Sequence, residues 1–511
     1  MQKSNRLLYL LAFIKIVLPY FLQHPIYEPH RDEFLYLAEG NHLAWGFMEV
    51  PPVLSVFAWL TNIFGGGIFW IKLWPSLFGA ATFIIAGKIV QSLGGKNFAL
   101  LLLFLPFIFG VYLRLFFLFQ PNTPEVFFWT MIAFTLVRFT QTNKNRWLYF
   151  LGLSIGLGML SKYSVAFFTI SIFTGLLFTK HRIIFLNKHF WFALLTAFVI
   201  FLPNFIWQYH NHFPVLHHMK ELQQTQLQYI SPIGFLKDQL LMNLPCLFIW
   251  LAGLWFVSLS KKGRNYRFIG LTYVTVIVLF LITHGKNYYS LGVYPILFAF
   301  GAYSLEQYTL IKRKALRYLF VMVPVGLGIF FIPISLPLFA PEKLAEFYSK
   351  MGMVKTGALK WEDLKDHPLP QDFSDMLGWE EMAQKVSRAY EKLDSTEKKQ
   401  TMLFCDNYGQ AGALNFYAEK YHLPQAYSDN ASFLYWLPDS VHIINLILLT
   451  DDENEMQHPF IRDFSSAMLT DSITTPYSRE RGDLIITFKG ANNSFNQMFK
   501  EKIEKDKAVF K

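Results

Sequence analysis

Apolar residues in this chain come in long blocks, not in the narrow stripes of a water-soluble helix. The blocks run over 7–22, 68–90, 98–119, 126–140, 147–160, 165–179, 190–206, 240–258, 268–283, 291–305 and 318–338. A bilayer-spanning helix needs roughly 20 mostly apolar residues, so the pattern predicts about eleven spans. The polar positions between blocks are not random. With the N-terminus in the cytoplasm, alternating turns place Lys96, then Arg138, Lys144 and Arg146, then Lys180, Arg182 and Lys188 on the inner side. Lys261, Lys262, Arg264 and Arg267 follow there, and then Lys312, Arg313, Lys314 and Arg317. The outer turns, 25–67, 121–125, 161–164, 208–239 and 284–290, are poor in such clusters. That asymmetry is the positive-inside pattern.

Two outer segments are too long for turns. Within 25–67, Phe34, Leu35, Leu37, Leu43 and Trp45, then Val53, Leu54, Val56, Phe57 and Leu60, suit short interfacial helices with apolar faces in lipid. The other, 208–239, holds His210, His212, His217 and His218. After about Pro341 charges become frequent and the long blocks stop. The runs 402–405, 443–449 and 484–488 read as buried strands, and 409–421 has helical spacing with Ala411, Leu414 and Ala418 on one face. The chain therefore divides into a polytopic α-helical membrane module, 1–340, and a soluble α/β domain, 341–511. An odd number of spans puts that domain outside, beside the first outer loop.

Composition agrees with the blocks. The chain is 53% hydrophobic and only 16% charged, too apolar for an ordinary soluble protein. Its net charge of +10 lies in clusters between apolar blocks, which argues for membrane topology and against nucleic acid. Lys3 and Arg6 precede the first block, but no small-residue cleavage site follows it, so an uncleaved first helix is expected, with Lys15 as an interior charge. Cys246 and Cys405 form neither a metal spacing nor a disulfide framework.

The first outer loop carries the densest candidate chemistry. Its stretch EPHRDEFLYLAEGNHLAWGFMEVPP holds Asp32 beside Glu33, then Glu39 and Glu49. Neighbours on a helix point about 100° apart, so only one of Asp32 and Glu33 faces a given substrate atom. A carboxylate by an apolar wall has a raised proton affinity, which suits a general base; two hydrated loop acids is the plainer account. Arg114, near the outer end of its block, fits either a phosphate or snorkelling to the interface. Glu125 opens the next helix, where an acid also favours the helix dipole; it is the candidate second acid. Lys162 and Lys286 are lone outer basic residues, the latter beside Tyr288, Tyr289 and Tyr294. With Arg114 they would receive a lipid-linked phosphate, although the tyrosines also suit an aromatic belt. The four histidines of WQYHNHFPVLHH lack an acid or cysteine at a recognised spacing, and no metal is expected. YGQAGAL lacks the full glycine pattern of a dinucleotide turn and is not read as a cofactor site.

Together these pieces resemble a membrane-embedded GT-C glycosyltransferase of the branch related to protein O-mannosyltransferases and lipid A aminoarabinose transferases. The resemblance rests on HRDEFLYLAEGNHLAWGFMEVPPV, TPEVFFW, GLGMLSKYS, PNFIWQYHNHFP, GKNYYSLGVYP and, in the soluble domain, DNYGQAGALNFYAEKYHLPQAYS. It implies a sugar donor on a polyprenyl monophosphate at the outer face of a bacterial inner membrane. It implies Asp32 as the base, with Glu33 beside it, and inversion at the anomeric carbon. Lys162 and Lys286, with Arg114, Tyr288 and Tyr289, would hold the donor phosphate, with no metal or other cofactor. The acceptor is left open among protein, lipid A and polysaccharide. Relatives often carry Asp where this chain has Asn122-Thr123-Pro124-Glu125, so Glu125 stands in for the second acid or none does. A transporter or flippase for an anionic lipid is the alternative, but two matching halves are not found. A non-catalytic scaffold carrying a binding domain is the other.

Overall fold

The computed structural model describes residues 2–310, 313–438 and 442–508. Lys312 of the expected inner cluster, and 509–511 of the expected soluble domain, lie outside them. The chain opens with α1 (Gln2–Val17), α2 (Arg31–Asn41), α3 (Val53–Ile63), α4 (Ile68–Ser92), α5 (Asn97–Ile108), α6 (Val111–Leu115) and α7 (Asn122–Thr142). Among the described residues, eleven further helices of ten residues or more follow before the first strand, the longest being Lys188–His210 and Leu316–Ser335.

Among the described residues, five helices are long and apolar enough to cross a membrane: Ser4–Phe21, Ile68–Ser92, Lys188–His210, Arg264–Ile282 and Leu316–Ser335. Counting each of two bent pairs as one span gives seven. The expected eleven are not reproduced, because several apolar blocks fold as shorter or broken helices. The block 98–119 splits into α5 and α6 at Gly110, whose φ of 153° is closed to most side chains. Arg146–Met159, Val165–Leu177 and Tyr294–Tyr308 have 14, 13 and 15 residues. At 1.5 Å per residue, each is shorter than a hydrocarbon core of about 30 Å.

The helix ends that bear the basic clusters meet at one end of the bundle. There Lys88 donates to Asn5 at 3.2 Å, and Gln141 donates to Ser92 at 3.1 Å and to Tyr266 at 2.9 Å. Lys180 reaches Asn265, and Asn187 donates to Asn145 at 3.0 Å. Glu306 accepts the amides of Lys96 at 2.7 Å and Ala99 at 3.0 Å, satisfying the first turn of α5. The alternation of charge along the sequence is thus a real separation in space. Lys15 is fully buried within the bundle, with Nζ 3.5 Å from the Tyr112 carbonyl.

The soluble domain is built on a five-stranded sheet of order β2-β1-β3-β5-β4. Its strands are β1 (Thr401–Cys405), β2 (Ala426–Tyr427), β3 (Asn445–Thr450), β4 (Phe464–Ser472) and β5 (Leu484–Ala491). β1 pairs parallel with β2 and β3, while β5 runs antiparallel to β3 and β4. The three expected strands are β1, β3 and β5. β4 escapes an apolar reading because it is a largely exposed strand whose polar residues carry no alternation. Helix Tyr408–Tyr421 connects β1 to β2 and lies against α2.

This docking changes the picture of the first outer loop. Phe34, expected to dip into lipid, is fully buried and meets Trp379, Phe416 and Tyr417 edge-on or tilted, with ring centroids 5.4 to 6.5 Å away. Leu35 and Leu37 are also buried, while Leu43 and Trp45 remain exposed. One core runs through α2, the start of α4 and the soluble domain.

Candidate functional site

α2 begins with its own cap. His30 Nδ1 accepts the Asp32 amide at 3.1 Å, and the Glu33 carboxylate accepts the His30 amide at 2.8 Å. This reciprocal arrangement satisfies two of the amides that a helix start leaves unpaired. It also sends Asp32 and Glu33 to different places. Glu33 is fully buried: Lys72 of α4 donates to both its oxygens at 2.7 Å, and the Phe119 amide donates to Oε1 at 2.6 Å. Its side chain is wholly engaged in joining α2, α4 and the segment before α7. Glu33, expected with Asp32 in the site, does not line the cavity.

Asp32 does. It lies in a cavity of about 470 Å³, between α2, the α6 region, the 286–291 segment and the soluble domain. Its side chain is 33% exposed. Oδ1 accepts the Tyr408 hydroxyl at 2.8 Å, and Oδ2 accepts from Gln120 Nε2 at 3.2 Å. Burial raises its proton affinity, but His30, the Tyr408 hydroxyl, Arg31 and Lys286 outweigh burial and hold the carboxyl below its ordinary value. The expected raised affinity is therefore corrected. The apolar wall is present, but a cationic and hydroxyl surround decides the sign.

Four other basic residues line the cavity: Arg31, Arg114, Arg479 and Lys286. Arg31 stacks on the Tyr408 ring at 4.6 Å and lies 3.9 Å from Glu480. Arg114 pairs with Asp372, and Arg479 lies 3.4 Å from Asp375 and 3.3 Å from Glu362. Lys286 alone among these, within the described residues, has no carboxylate within 4 Å. Burial pushes its ammonium below its ordinary value. Tyr288 also lines the cavity. A second cavity of about 370 Å³ shares Lys286, Asn287 and Glu362 with the first and continues past Tyr229, Ile230, Phe235 and Leu364.

Lys162 and Glu125 are brought together, but behind this wall. Lys162 lies 3.1 Å from Glu125 and also reaches Asn122, while Ser164 donates to Glu125. The Lys162 ammonium sits over the rings of Tyr289 at 4.8 Å and Tyr288 at 5.6 Å. Neither Lys162, Glu125 nor Tyr289 lines the cavity that holds Asp32. The expected phosphate-binding lysine and the candidate second acid pair with one another. Asn122, one turn before Glu125, reaches the cavity and touches Lys162.

His30, Asp372 and Asp375 place ligand-type atoms within 4.8 Å of one another. The cap argues against a cation there. His30 Nδ1 already accepts the Asp32 amide, and Nε2 faces Asp375 Oδ2 at 3.6 Å, the position of a donor toward that carboxylate. His210, His212, His217 and His218 join no comparable group among the described residues.

Tyr408, Arg479, Asp372 and Asp375 were not singled out by the sequence. They lie in the soluble domain, far along the chain from Asp32, and only the quoted DNYGQAGAL run marked the place. Lys72 is marked in the sequence only as a charge inside an apolar block.

The dolichyl-phosphate-mannose-protein mannosyltransferase family model matches residues 49–207, starting after Asp32 at the end of the acidic stretch. The solved structure of ArnT from Cupriavidus metallidurans bound to undecaprenyl phosphate is similar to nearly the whole chain. It has a TM-score of 0.64 at 12% identity and covers 94% of this chain and 97% of that one. Its apo state gives the same score and identity over 95% and 98%. The archaeal oligosaccharyltransferase AglB from Archaeoglobus fulgidus, in complex with an inhibitory peptide and a dolichol-phosphate, gives 0.51 at 10% identity over 87% and 69%. No curated protein matches the sequence. Fold and matched segment agree: this chain has an ArnT-like fold over almost its full length, and the segment that matches the mannosyltransferase model lies within it.

Proposed function

We propose that the protein is an integral-membrane glycosyltransferase. It moves a sugar from a polyprenyl monophosphate to a hydroxyl of a cell-envelope acceptor, at the outer face of a bacterial inner membrane. The observation that carries the reading is one cavity holding both Asp32 and the unpaired Lys286. Asp32 is the base. Its Oδ2, held only by a neutral amide, takes the acceptor proton as the acceptor oxygen bonds to the anomeric carbon. The bond from that carbon to the phosphate oxygen breaks on the opposite face, and the electron pair leaves with the lipid phosphate. The anomeric centre inverts. Lys286, with no carboxylate within 4 Å among the described residues, stabilises the charge that grows on the leaving phosphate. Arg114 joins it by giving up Asp372, and Tyr288 offers a hydroxyl nearby. The apolar cavity beyond Lys286 suits the first isoprene units of the lipid.

Lys162 and Tyr289 act at one remove. The Lys162–Glu125 pair backs the two tyrosine rings and carries no net charge to the substrate. Because Asp32 is held below the ordinary Asp value of about 3.9, it is a weak base that is ionised throughout the neutral range. Proton transfer then belongs late in the displacement, after the attacking oxygen has gained positive character.

Mass spectrometry of envelope lipids and glycans, in cells with and without the chain, identifies the product. Asp32→Asn should remove that product, with at least a 100-fold loss expected for a missing general base, while insertion into membranes stays normal. A product formed at the wild-type level by Asp32→Asn would end this reading.

A further inference from the structure

The run Asn407-Tyr408-Gly409-Gln410-Ala411-Gly412 has no role in the mechanism above, yet it packs directly against α2 and reaches Asp32. Asn407 caps the helix by accepting the Gln410 amide at 3.0 Å. Gly412 faces Phe34 so tightly that a Cβ would lie 2.8 Å from the Phe34 Cβ and 3.1 Å from its carbonyl oxygen. A Cβ on Gly409 would lie 2.5 Å from Arg31 Cγ. Two glycines thus let this helix lie directly on α2. Farther along, Tyr417 donates to Glu28 at 2.9 Å, holding the far end of the contact. The consequence is at the first turn, where the Tyr408 hydroxyl comes 2.8 Å from Asp32 Oδ1.

Resting on the reading of Asp32 as base, we propose that Tyr408 is a positioning residue of the active site: the soluble domain reaches in with this hydroxyl, fixes Asp32 Oδ1 and so turns Oδ2 toward the acceptor. The other groups facing Asp32 cannot do this. His30 Nδ1 is already occupied by the backbone cap and lies 4.0 Å from Oδ2. Arg31 is drawn away toward Tyr408 and Glu480. Gln120 holds the oxygen that must be released. Lys286 acts on Asp32 through space and makes no ion pair with it within 4 Å, and Asp375 repels it. Burial and the Asp32 charge both push the Tyr408 hydroxyl well above its ordinary value, so it remains a donor. The soluble domain is then part of the catalytic apparatus.

Tyr408→Phe removes one oxygen and keeps the ring under Arg31, so the fold is retained. The purified full chain is assayed in membranes from cells lacking it, which supply donor and acceptor, and the product identified above is followed between pH 3.5 and 7. The expected result is a kcat about tenfold lower with KM within about twofold. The acidic limb of the rate should also move to higher pH by about one unit, because a donor that favoured the carboxylate is gone. Asp32→Asn is run beside it. An inactive Asp32→Asn with an unshifted limb and an unchanged kcat in Tyr408→Phe would overturn the role of Tyr408 alone. An active Asp32→Asn would remove the base, and this role with it.

Discussion

At the scale of single residues, two adjacent carboxylates have opposite fates because one helical step separates their surroundings. Asp32 faces a cavity and keeps an available oxygen, whereas every direction around Glu33 is filled by Lys72, two backbone amides and protein. A buried pair of this kind is sensitive to the loss of one partner, since the survivor keeps its charge without compensation. Lys72→Met should therefore cost about 3–5 kcal/mol. Thermal unfolding of the detergent-purified chain would read this, and a Tm within a degree or two of wild type would show that the pair contributes little. The same reasoning applies to Lys162 and Glu125. Each is an unusual charge by its place in the sequence, and each is the explanation of the other.

At the scale of elements, α2 is the joint of the molecule. One face meets α3 through Gly40, where a Cβ would approach Ala58 to 2.6 Å, and another meets the helix Tyr408–Tyr421 through Gly412. Small residues allow both contacts, so α2 is clamped along its length. Gly412→Leu should force the soluble domain off α2, at a cost of about 1–3 kcal/mol for the overpacked side chain. Faster tryptic cleavage between the modules in native membranes, with loss of sugar transfer, is the expected outcome. Wild-type cleavage and transfer would mean that the contact is dispensable. Periodicity holds no hint of this clamp, because Phe34, Leu35 and Leu37 look the same whether they face lipid or a neighbouring domain. Their burial under Trp379 and Phe416 is a choice between two apolar environments, and a hydrophobic pattern does not distinguish them.

At the scale of the whole molecule, charge is segregated along the bundle. The basic helix ends gather at one end of the bundle, and the acidic loop and soluble domain at the other. A membrane potential and translocation rules favour the basic end in the cytoplasm. Glu391 and Lys261 are both exposed, one in each compartment on this reading, and the native Cys246 and Cys405 are buried. Glu391→Cys should react with a membrane-impermeant maleimide in intact cells, and Lys261→Cys only after permeabilisation. Equal labelling of the two in intact cells would reverse or abolish the assigned topology.

What the sequence determined by itself is what water and lipid impose on a chain locally: which stretches are apolar, which ends are basic, and that the long apolar blocks give way to a C-terminal domain with buried strands. Solvent acts on each segment separately, so those properties are written in each segment. The number of helices that span was harder to read, since a glycine such as Gly110 breaks a block without lowering its hydrophobicity. Only the tertiary structure decided which charges are free. Asp32 and its Tyr408 partner stand 376 positions apart, and Lys72 reaches Glu33 across 39. Pairing is a property of distance in space, and a carboxylate's chemistry follows from its partners.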